Sequence, residues 1–199
     1  MSKNKKNQLR KQLREVRNRL SYKEQRNAAI ALAKQVTRSR AYYSSNRIAL
    51  YFASDGEVTT DELMARIWQS GRQCYLPILS CVVGERLWFA PVDQDSKFLI
   101  NRFGIPEPVV ASRKLLSARQ LDLILIPLVG FDLQGNRLGM GGGFYDRTLA
   151  FQHQRQKWKR PRLIGLAHEC QRVSRLEVSP WDVPLHAVAT DKNFYQFKK

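Results

Sequence analysis

The stretch of sequence that decides the fold reads LDLILIPLVGFDLQGNRLGMGGGFYDR and spans residues 121–147. Its first nine residues form the most apolar segment of the chain, which is typical of a strand buried on both faces of a sheet. A glycine-rich loop follows, and a helix is predicted over about 144–157. A buried strand that leads through a glycine loop into a helix is characteristic of α/β proteins with parallel sheets.

Strand and helix alternate on either side of this stretch. Further strands are predicted at 48–53, 73–78, 163–167 and 187–190. Further helices are predicted after Thr59 or Thr60, with Asp61 and Glu62 in the first turn and Gly71 beyond the end, and near 112–119. Residues 81–83 and 86–90, joined through Gly84-Glu85, predict a β-hairpin. The sequence therefore predicts a single α/β domain over residues 1–199, with a mostly parallel sheet, helices on both faces and a β-hairpin insertion.

Positive charge is the unusual feature of the composition. The chain of 199 residues has 34 Lys and Arg against 17 Asp and Glu, a net charge of +17. Residues 1–47 hold 14 of the basic residues and two of the acids, so the net charge of this quarter is +12. Such a field attracts polyanions, which leaves nucleic acid, an anionic membrane surface and a phosphate-rich ligand open.

Two compositional features indicate a cytoplasmic protein. No apolar run approaches the roughly 20 residues of a spanning helix, and no apolar segment follows the basic N-terminus as in a secretory signal. The three cysteines, Cys74, Cys81 and Cys170, are scattered and form no C-x-x-C pair. Reduced thiols are the simplest interpretation, and no structural zinc site is expected.

A basic helical segment is predicted over about residues 4–40. A narrow apolar stripe with helical spacing runs along its first helix: Leu9, Leu13, Val16 and Leu20. Ser21 and Glu24 have the spacing of a capping box that begins a second helix. Most of the basic side chains fit a solvated helix face, and contact of a few with phosphate or nucleic acid is the alternative.

The loop after the buried strand has the chemistry of a phosphate site. Four glycines fall within five positions: Gly139, Gly141, Gly142 and Gly143. Glycines let the backbone approach a ligand and turn N–H groups toward it, and the helix that follows adds a field favourable to anions. The loop is neither a Walker A loop nor a dinucleotide fingerprint. A purely structural turn is the alternative, but the charged residues on both sides favour phosphate.

The same loop and its surroundings resemble the 5-formyltetrahydrofolate cyclo-ligase family (5,10-methenyltetrahydrofolate synthetase). The most specific matches are 121–124 running into Pro127, 130–132, 135–139 and 141–147. Three other stretches agree in the same order: Lys6-x-x-Leu9-Arg10, the Glu57 segment after the first predicted strand, and Gly104-Ile105-x-Glu107-Pro108. The resemblance covers nearly the whole chain and is loosest from about 174 to 190.

The resemblance implies an ATP- and Mg²⁺-dependent ligase that converts 5-formyltetrahydrofolate to 5,10-methenyltetrahydrofolate. In this reaction ATP phosphorylates the formyl oxygen, N10 closes the ring, and ADP and phosphate are released. Phosphoryl transfer depends on positioning and charge neutralisation more than on a side-chain nucleophile. The sequence is consistent with this, because it offers no convincing Ser-His-Asp or Cys-His set.

Residue by residue, the resemblance also implies a site. ATP would be held by Lys6, Arg10, Gly139, Met140, Gly141, Gly142, Gly143, Phe144 and Tyr145. The catalytic side chains would be Arg137, Tyr145 and Arg147. Folate would contact Phe52, Glu57 and Phe103, with Glu57 accepting hydrogen bonds from the pterin. Mg²⁺ would be bound by the carboxylates of Asp146 and Asp182.

Several of these residues also have plainer interpretations. Asp146 would be stabilised as a first-turn acid by the helix dipole alone, and Asp182 would serve equally well as an ordinary turn residue. Phe52 and Phe103 would serve equally well as core aromatics.

A second function class stays open, namely a basic RNA-binding protein on an α/β scaffold. The net charge and the basic run 155–162 around Trp158 favour it, but a solvated loop explains that run as well. Glu57, Asp146 and the acid-bearing glycine loop have no purpose in an RNA binder, and the aromatic strings of the common RNA-recognition module are absent. We therefore expect a monomer that acts on a folate, with or without a polyglutamate tail, with no membrane partner and nucleic acid only as a secondary one.

Overall fold

The computed structural model describes residues 3–79, 86–101, 104–154 and 160–197. Its α-helices are α1 (Lys3–Asn18), α2 (Tyr22–Thr37), α3 (Arg40–Tyr43), α4 (Asp61–Gln69) and α5 (Phe144–Leu149). The strands of its main sheet are β1 (Arg47–Ala49), β2 (Gln73–Ile78), β3 (Trp88–Val92), β6 (Leu116–Ser117), β7 (Leu123–Pro127), β10 (Arg162–Leu166), β11 (Ala187–Ala189) and β12 (Phe194–Gln196). Two small hairpins pair β4 (Phe98–Ile100) with β5 (Pro106–Pro108) and β8 (Gly130–Phe131) with β9 (Arg137–Leu138).

The main sheet has eight strands in the order β12-β11-β10-β7-β1-β2-β3-β6. β1 pairs in parallel with β2 and β7, and β10 pairs in parallel with β7 and β11. The outer strands β12, β3 and β6 are antiparallel to their neighbours. The mostly parallel sheet is therefore confirmed, and its parallel centre brings the carboxyl ends of five strands to one edge.

The apolar segment 121–129 lies at the centre of this sheet and buries both of its faces. Leu123 and Leu125 pack on one side with Leu32 of α2 and Ile67 of α4. Ile124 and Ile126 pack on the other side with Leu149 of α5. Burying each such side chain contributes about 1.5–3 kcal/mol. The alternation of the strand therefore builds two cores, with helices on both faces as predicted.

The N-terminal segment is helical, and the capping box at its second helix is confirmed. The Ser21 N–H donates to Glu24 Oε2 at 2.8 Å, and the Glu24 N–H donates to Ser21 Oγ at 3.3 Å. The predicted apolar stripe on α1 is only partly right. Leu13 is buried, but Val16 is 41% exposed and Leu20 lies beyond the end of the helix.

The predicted short helix at 112–119 is wrong. This segment forms two 3₁₀ turns, Ser112–Lys114 and Ala118–Gln120, with strand β6 between them. The apolar residue of β6, Leu116, pairs with Phe89 at the edge of the sheet. Ser117 then begins a new turn through a capping box with Gln120. Edge pairing, which depends on distant residues, outweighs the local helical pattern.

Three other predicted boundaries differ from the structure. The helix that begins at Phe144 ends at Leu149 and continues as a 3₁₀ turn to Gln154, while 155–159 lie outside the described residues. The strand predicted at 48–53 ends at Ala49. The first arm and turn of the predicted hairpin, 81–85, also lie outside the described residues; the second arm overlaps β3, which pairs with β2. Within the described ranges, no helix is long and apolar enough to cross a membrane.

Candidate active site

A cleft of about 430 Å³ opens at the carboxyl edge of the parallel strands. Its floor includes Pro127 at the end of β7 and Pro77 near the end of β2, and α1 borders one side. Most of the predicted site residues line this cleft: Lys6, Arg10, Phe52, Glu57, Arg137, Gly139, Met140, Gly141, Gly142, Gly143, Phe144, Tyr145, Asp146 and Asp182. Phe103 lies outside the described residues. Parts of the chain that are distant in sequence therefore meet around one volume.

The glycine loop enters α5 through two left-handed backbone positions. The φ angles of Gly141 and Gly143 are +105° and +68°, and Gly143 is the residue immediately before the helix. A side chain at such angles is strained, which explains glycine at these two positions. A Cβ on Gly143 would also lie 2.5 Å from Arg147 Nη1. The loop conformation therefore depends on glycine.

The N-terminal half of α1 contacts both the glycine loop and the turn at 179–182. Arg10 Nε donates to the Gly139 carbonyl at 2.8 Å, and Lys6 Nζ donates to Ser179 Oγ at 3.2 Å. Lys6 and Arg10 are four residues apart, so one helix face presents both cations to the cleft. This juxtaposition follows the expectation from the i, i+4 spacing.

A buried arginine pairs with one acidic residue of the cleft and lies in the field of a second. The side chain of Arg137 is 5% exposed and donates to Asp146 Oδ1 and to the Val183 carbonyl. Burial lowers the pKa of Arg137, and the Asp146 and Asp182 carboxylates oppose this shift. Asp182 Oδ2 accepts from the Ser179 N–H at 2.7 Å. Two carboxylates and a guanidinium are thus held together beside the glycine loop.

This arrangement suits a divalent cation that is shared with phosphates. Mg²⁺ usually binds through one or two carboxylates together with substrate phosphates and water. Asp146 and Asp182 both line the cleft, and their described hydrogen bonds fall on one oxygen of each carboxylate. Among the described residues no group of three or more His, Cys, Asp or Glu gathers as a metal site. The donors present fit a cation that completes its shell on a bound ligand.

The side of the cleft that carries Glu57 combines a carboxylate with aromatic rings. Glu57 Oε2 accepts from the Ser54 N–H at 3.1 Å, and burial raises the pKa of Glu57. The Phe52 ring packs edge-on against Phe98, with 5.4 Å between the ring centroids. Burial also raises the pKa of Tyr145, and the nearby Glu57 raises it further, so the phenol stays neutral. This side offers a hydrogen-bond acceptor, apolar surface and a neutral hydroxyl.

Arg147, predicted as catalytic, is the one described candidate that does not line the cleft. Its guanidinium donates to the Gly142 carbonyl at 2.7 Å and lies 5.2 Å from the centroid of the Phe144 ring. Both contacts are with the glycine loop and the first residue of α5.

Sequence reasoning missed three groups that the structure brings to the site. Glu107 is buried at the cleft and accepts from the Leu79 N–H at 2.6 Å and from Asn101 Nδ2 at 2.9 Å. Its stretch, 104–108, was part of the resemblance but received no role. Ser179 and Trp181 also line the cleft, in the region where the resemblance is loosest. Their nearness to Asp182 in sequence was the available indication.

Clefts at the carboxyl edge of a parallel sheet are where α/β enzymes bind their ligands. The fold and the cleft define the protein as an enzyme of this class. The family model described as the 5-formyltetrahydrofolate cyclo-ligase family matches residues 2–191. The chain belongs to this family, so the resemblance is confirmed.

Individual relatives agree with this assignment. The chain is 38% identical over 187 residues to the 5-formyltetrahydrofolate cyclo-ligase of Haemophilus influenzae, covering 93% of this chain and 97% of the relative. It is 39% identical over 155 residues to the enzyme of the same name from Escherichia coli K12, covering 77% and 82%.

Solved structures show the same fold. An NMR structure of Aquifex aeolicus 5,10-methenyltetrahydrofolate synthetase matches with a TM-score of 0.81 and 29% identity, over 98% of this chain and 93% of that one. The synthetase from Mycoplasma pneumoniae matches with a TM-score of 0.71 and 26% identity, over 94% and 98%. The predicted α/β class is therefore that of these synthetases.

Proposed function

We propose that the protein converts 5-formyltetrahydrofolate to 5,10-methenyltetrahydrofolate in a reaction that consumes ATP and requires Mg²⁺. The relatives bear names for this conversion. The observation that carries the proposal for this chain is the composition of one cleft. A glycine loop that Arg10 contacts and the carboxylate of Glu57 line the same volume.

ATP would occupy the side of the cleft formed by the glycine loop and α1. Backbone N–H groups of residues 139–143 and the cations of Lys6 and Arg10 suit a polyphosphate. Asp146 and Asp182 would hold Mg²⁺, which neutralises charge on the transferring phosphoryl group. Arg137, already paired with Asp146, would fix the orientation of that carboxylate. Arg147 would act by holding the loop.

The folate would occupy the side of the cleft that carries Glu57. Glu57 accepts hydrogen bonds from pterin N–H groups, and Phe52 provides an apolar surface for the planar ring. Phe103 is proposed for the same surface on the resemblance alone. The neutral hydroxyl of Tyr145 donates to the formyl oxygen and holds it toward the phosphates.

The reaction needs no side-chain nucleophile. The formyl oxygen attacks the terminal phosphorus of ATP, and ADP leaves. N10 then attacks the activated formyl carbon and loses its proton, and the bond from carbon to the phosphorylated oxygen breaks to release phosphate. The residues of the cleft position the reactants and neutralise charge, which is what phosphoryl transfer requires.

We also propose that the enzyme works in the cytoplasm as a monomer and accepts folates with one or several glutamates. No specific observation favours RNA as the main ligand. The basic run around Trp158, which suggested it, falls largely outside the described residues.

A direct assay tests the proposed function. Purified protein is mixed with 5-formyltetrahydrofolate, ATP and Mg²⁺, and formation of the methenyl product is followed by its absorbance. Product should form only when all components are present, and a chelator of Mg²⁺ should abolish it. Folded protein that forms no product with all components present would refute the proposal.

A further inference from the structure

The turn that carries Glu57 has an unusual backbone. Asp55 and Gly56 lie at φ +51° and +74°, and in the described part of the chain Asp55 is the only non-glycine residue with a left-handed φ. Aspartate is among the few non-glycine residues that adopt this region, where its short side chain forms hydrogen bonds. The carboxylate of Asp55 forms such bonds outside the turn.

Those contacts come from the C-terminal half of α1. Asp55 Oδ2 accepts from Arg14 Nε at 2.6 Å and from Arg17 Nη2 at 2.9 Å, and Asp55 Oδ1 accepts from Asn18 Nδ2 at 3.1 Å. Both oxygens of the carboxylate are thus bound by one helix. These hydrogen bonds hold the pKa of Asp55 at about 2, so the carboxylate stays charged at neutral pH.

Arg17 is the centre of this arrangement and is fully buried. Besides the Asp55 carboxylate, its guanidinium binds two backbone carbonyls, Asp55 O at 2.7 Å and Leu128 O at 3.2 Å. Leu128 directly follows β7. One side chain of α1 therefore joins the turn that bears Glu57 to the central strand of the sheet.

The next residue of the turn is also tightly seated. A Cβ on Gly56 would lie 2.1 Å from Asn18 Oδ1, so the backbone of the turn approaches α1 more closely than any side chain permits. The Gly56 carbonyl lies 3.3 Å from His168 Nε2. The turn is therefore confined between α1 and the segment that follows β10.

We infer that Asp55 is a positioning residue that directs Glu57 into the cleft through its hydrogen bonds to Arg14, Arg17 and Asn18. Because Lys6 and Arg10 of the same helix contact the ATP side, α1 holds the folate side and the nucleotide side at a fixed separation. The role of Glu57 as folate ligand rests on the proposed function. The seating of the turn by Asp55 rests on the contacts alone.

The variant that tests this inference is Asp55→Asn. Asparagine accepts left-handed angles readily, so the change removes the charge while it tolerates the backbone. Its amide must direct N–H groups at the arginines or at Asn18, which breaks the set of hydrogen bonds. We expect the KM for 5-formyltetrahydrofolate to rise about 10-fold and the KM for ATP to change less than about twofold.

A matched control separates positioning from general stability. Asp122 also accepts hydrogen bonds on both oxygens, from the Asn46 and Arg47 N–H groups and from Arg160, but it lies before β7 at the opposite edge of the sheet. Asp122→Asn should lower the melting temperature and leave both KM values unchanged. Arg14→Ala, at a side chain that is 44% exposed, provides a milder second variant that weakens the same turn without endangering the fold.

Amide hydrogen exchange measures the local stability of the turn in the absence of substrate. The Glu57 N–H donates to the Ser54 carbonyl at 2.9 Å, and its exchange should accelerate in Asp55→Asn and in Arg14→Ala but not in Asp122→Asn. Unchanged exchange at Glu57 would overturn the inference, as would KM values for folate and ATP that rise equally. If the wild-type protein turns over no substrate, the proposed function fails, and exchange at Glu57 still decides whether Asp55 seats the turn.

Discussion

At the scale of single residues, the site depends on charges that are buried together. Arg137 is nearly inaccessible, and it forms a salt bridge with the Asp146 carboxylate. The sequence placed Asp146 in the first turn of a helix, where an acid needs no further purpose. Its pairing with Arg137 inside the cleft favours a functional role over that plainer one.

Replacing Asp146 by Asn separates these two roles. Asparagine keeps an oxygen that accepts from Arg137 but lacks the charge that the proposed Mg²⁺ site requires. Turnover should therefore fall about 100-fold in protein that still folds, with some loss of stability because buried Arg137 loses its counter-ion. Steady-state rates and thermal unfolding measure the two effects. Asp61→Asn is the control, because Asp61 is also a first-turn acid, in α4. If both substitutions change turnover and stability equally, Asp146 serves only as a first-turn acid stabilised by the helix dipole.

The ionised form of Glu57 should lower the stability of the folded protein at neutral pH, because the carboxylate is buried at the cleft. Its pKa is raised from the ordinary 4.5 by burial, so folding favours the protonated form and the ionised form costs stability. The protonated carboxyl contributes fully to the free energy of unfolding below pH 4.5, and this contribution is lost as the pH rises through the raised pKa.

Glu57→Gln should therefore raise the melting temperature at neutral pH, and the gain should shrink as the pH approaches 4.5. The same variant should raise the KM for 5-formyltetrahydrofolate about 10-fold, because an amide cannot accept as strongly from the pterin. Thermal unfolding across pH, with wild type in parallel, measures the first effect. A variant less stable than wild type at neutral pH would contradict it.

Local pattern predicted individual site residues unevenly. Lys6 and Arg10 are predicted as site residues from the family resemblance, and their i, i+4 spacing agrees with it. Arg17, about two turns further along the same helix, has the sequence context of an ordinary solvated arginine. Its burial depends on the Asp55 and Leu128 carbonyls, 38 and 111 residues away, which no local pattern contains.

At the scale of elements, the glycine loop and α5 act as one unit, since Gly143 is the last residue before the helix. Gly143→Ala should strain this entry and cost about 1 kcal/mol of stability. It should also raise the KM for ATP severalfold, because the N–H groups of the loop would no longer converge. Unfolding and steady-state kinetics measure the two effects.

Gly71→Ala is the matched control for that prediction. Gly71 has nearly the same φ, +69°, with open space around its Cβ position, and it follows α4 away from the cleft. Gly71→Ala reports the backbone strain alone, whereas Gly143→Ala must also displace Arg147 and should lose more stability, and only Gly143→Ala should affect ATP. If the KM for ATP changes equally in both variants, or in neither, ATP binding does not depend on the left-handed conformation of Gly143.

Long apolar elements were predictable from the sequence and short paired ones were not. The strand at 121–129 was identified because its apolar run alone requires burial on both faces. The two-residue strands β8 and β9 depend on pairing with each other, Phe131 of β8 also bridges Arg172, and β6 depends on pairing with β3. Such elements have too few residues to carry a period, and their partners are set by the tertiary fold.

At the scale of the whole molecule, the charge of +17 acquires a partial explanation. Lys6 and Arg10 line the cleft, and Arg14 and Arg17 bind Asp55. The remaining positive charge would attract both proposed substrates, because ATP and the glutamate tail of folate are anions.

Salt should therefore weaken capture of the substrates more than it affects chemistry. Between low salt and about 0.5 M, kcat/KM for ATP should fall about 10-fold while kcat stays nearly constant. An uncharged osmolyte at matched viscosity is the control. A kcat/KM that does not change with salt would refute electrostatic attraction of the substrates. Strong competition by an RNA homopolymer at low salt would support RNA as a partner.

The seating of α1 also makes completion of the cleft depend on contacts between distant parts of the chain. Arg17 binds a carbonyl 111 residues later, Arg10 one 129 residues later and Lys6 a hydroxyl 173 residues later. Such contacts require closure of long loops, whose entropy cost must be met before the contacts stabilise anything. Until they form, the abundant lysine and arginine of the helix keep it hydrated. Docking of α1 should therefore be a late step of folding, and the cleft should be complete only after it.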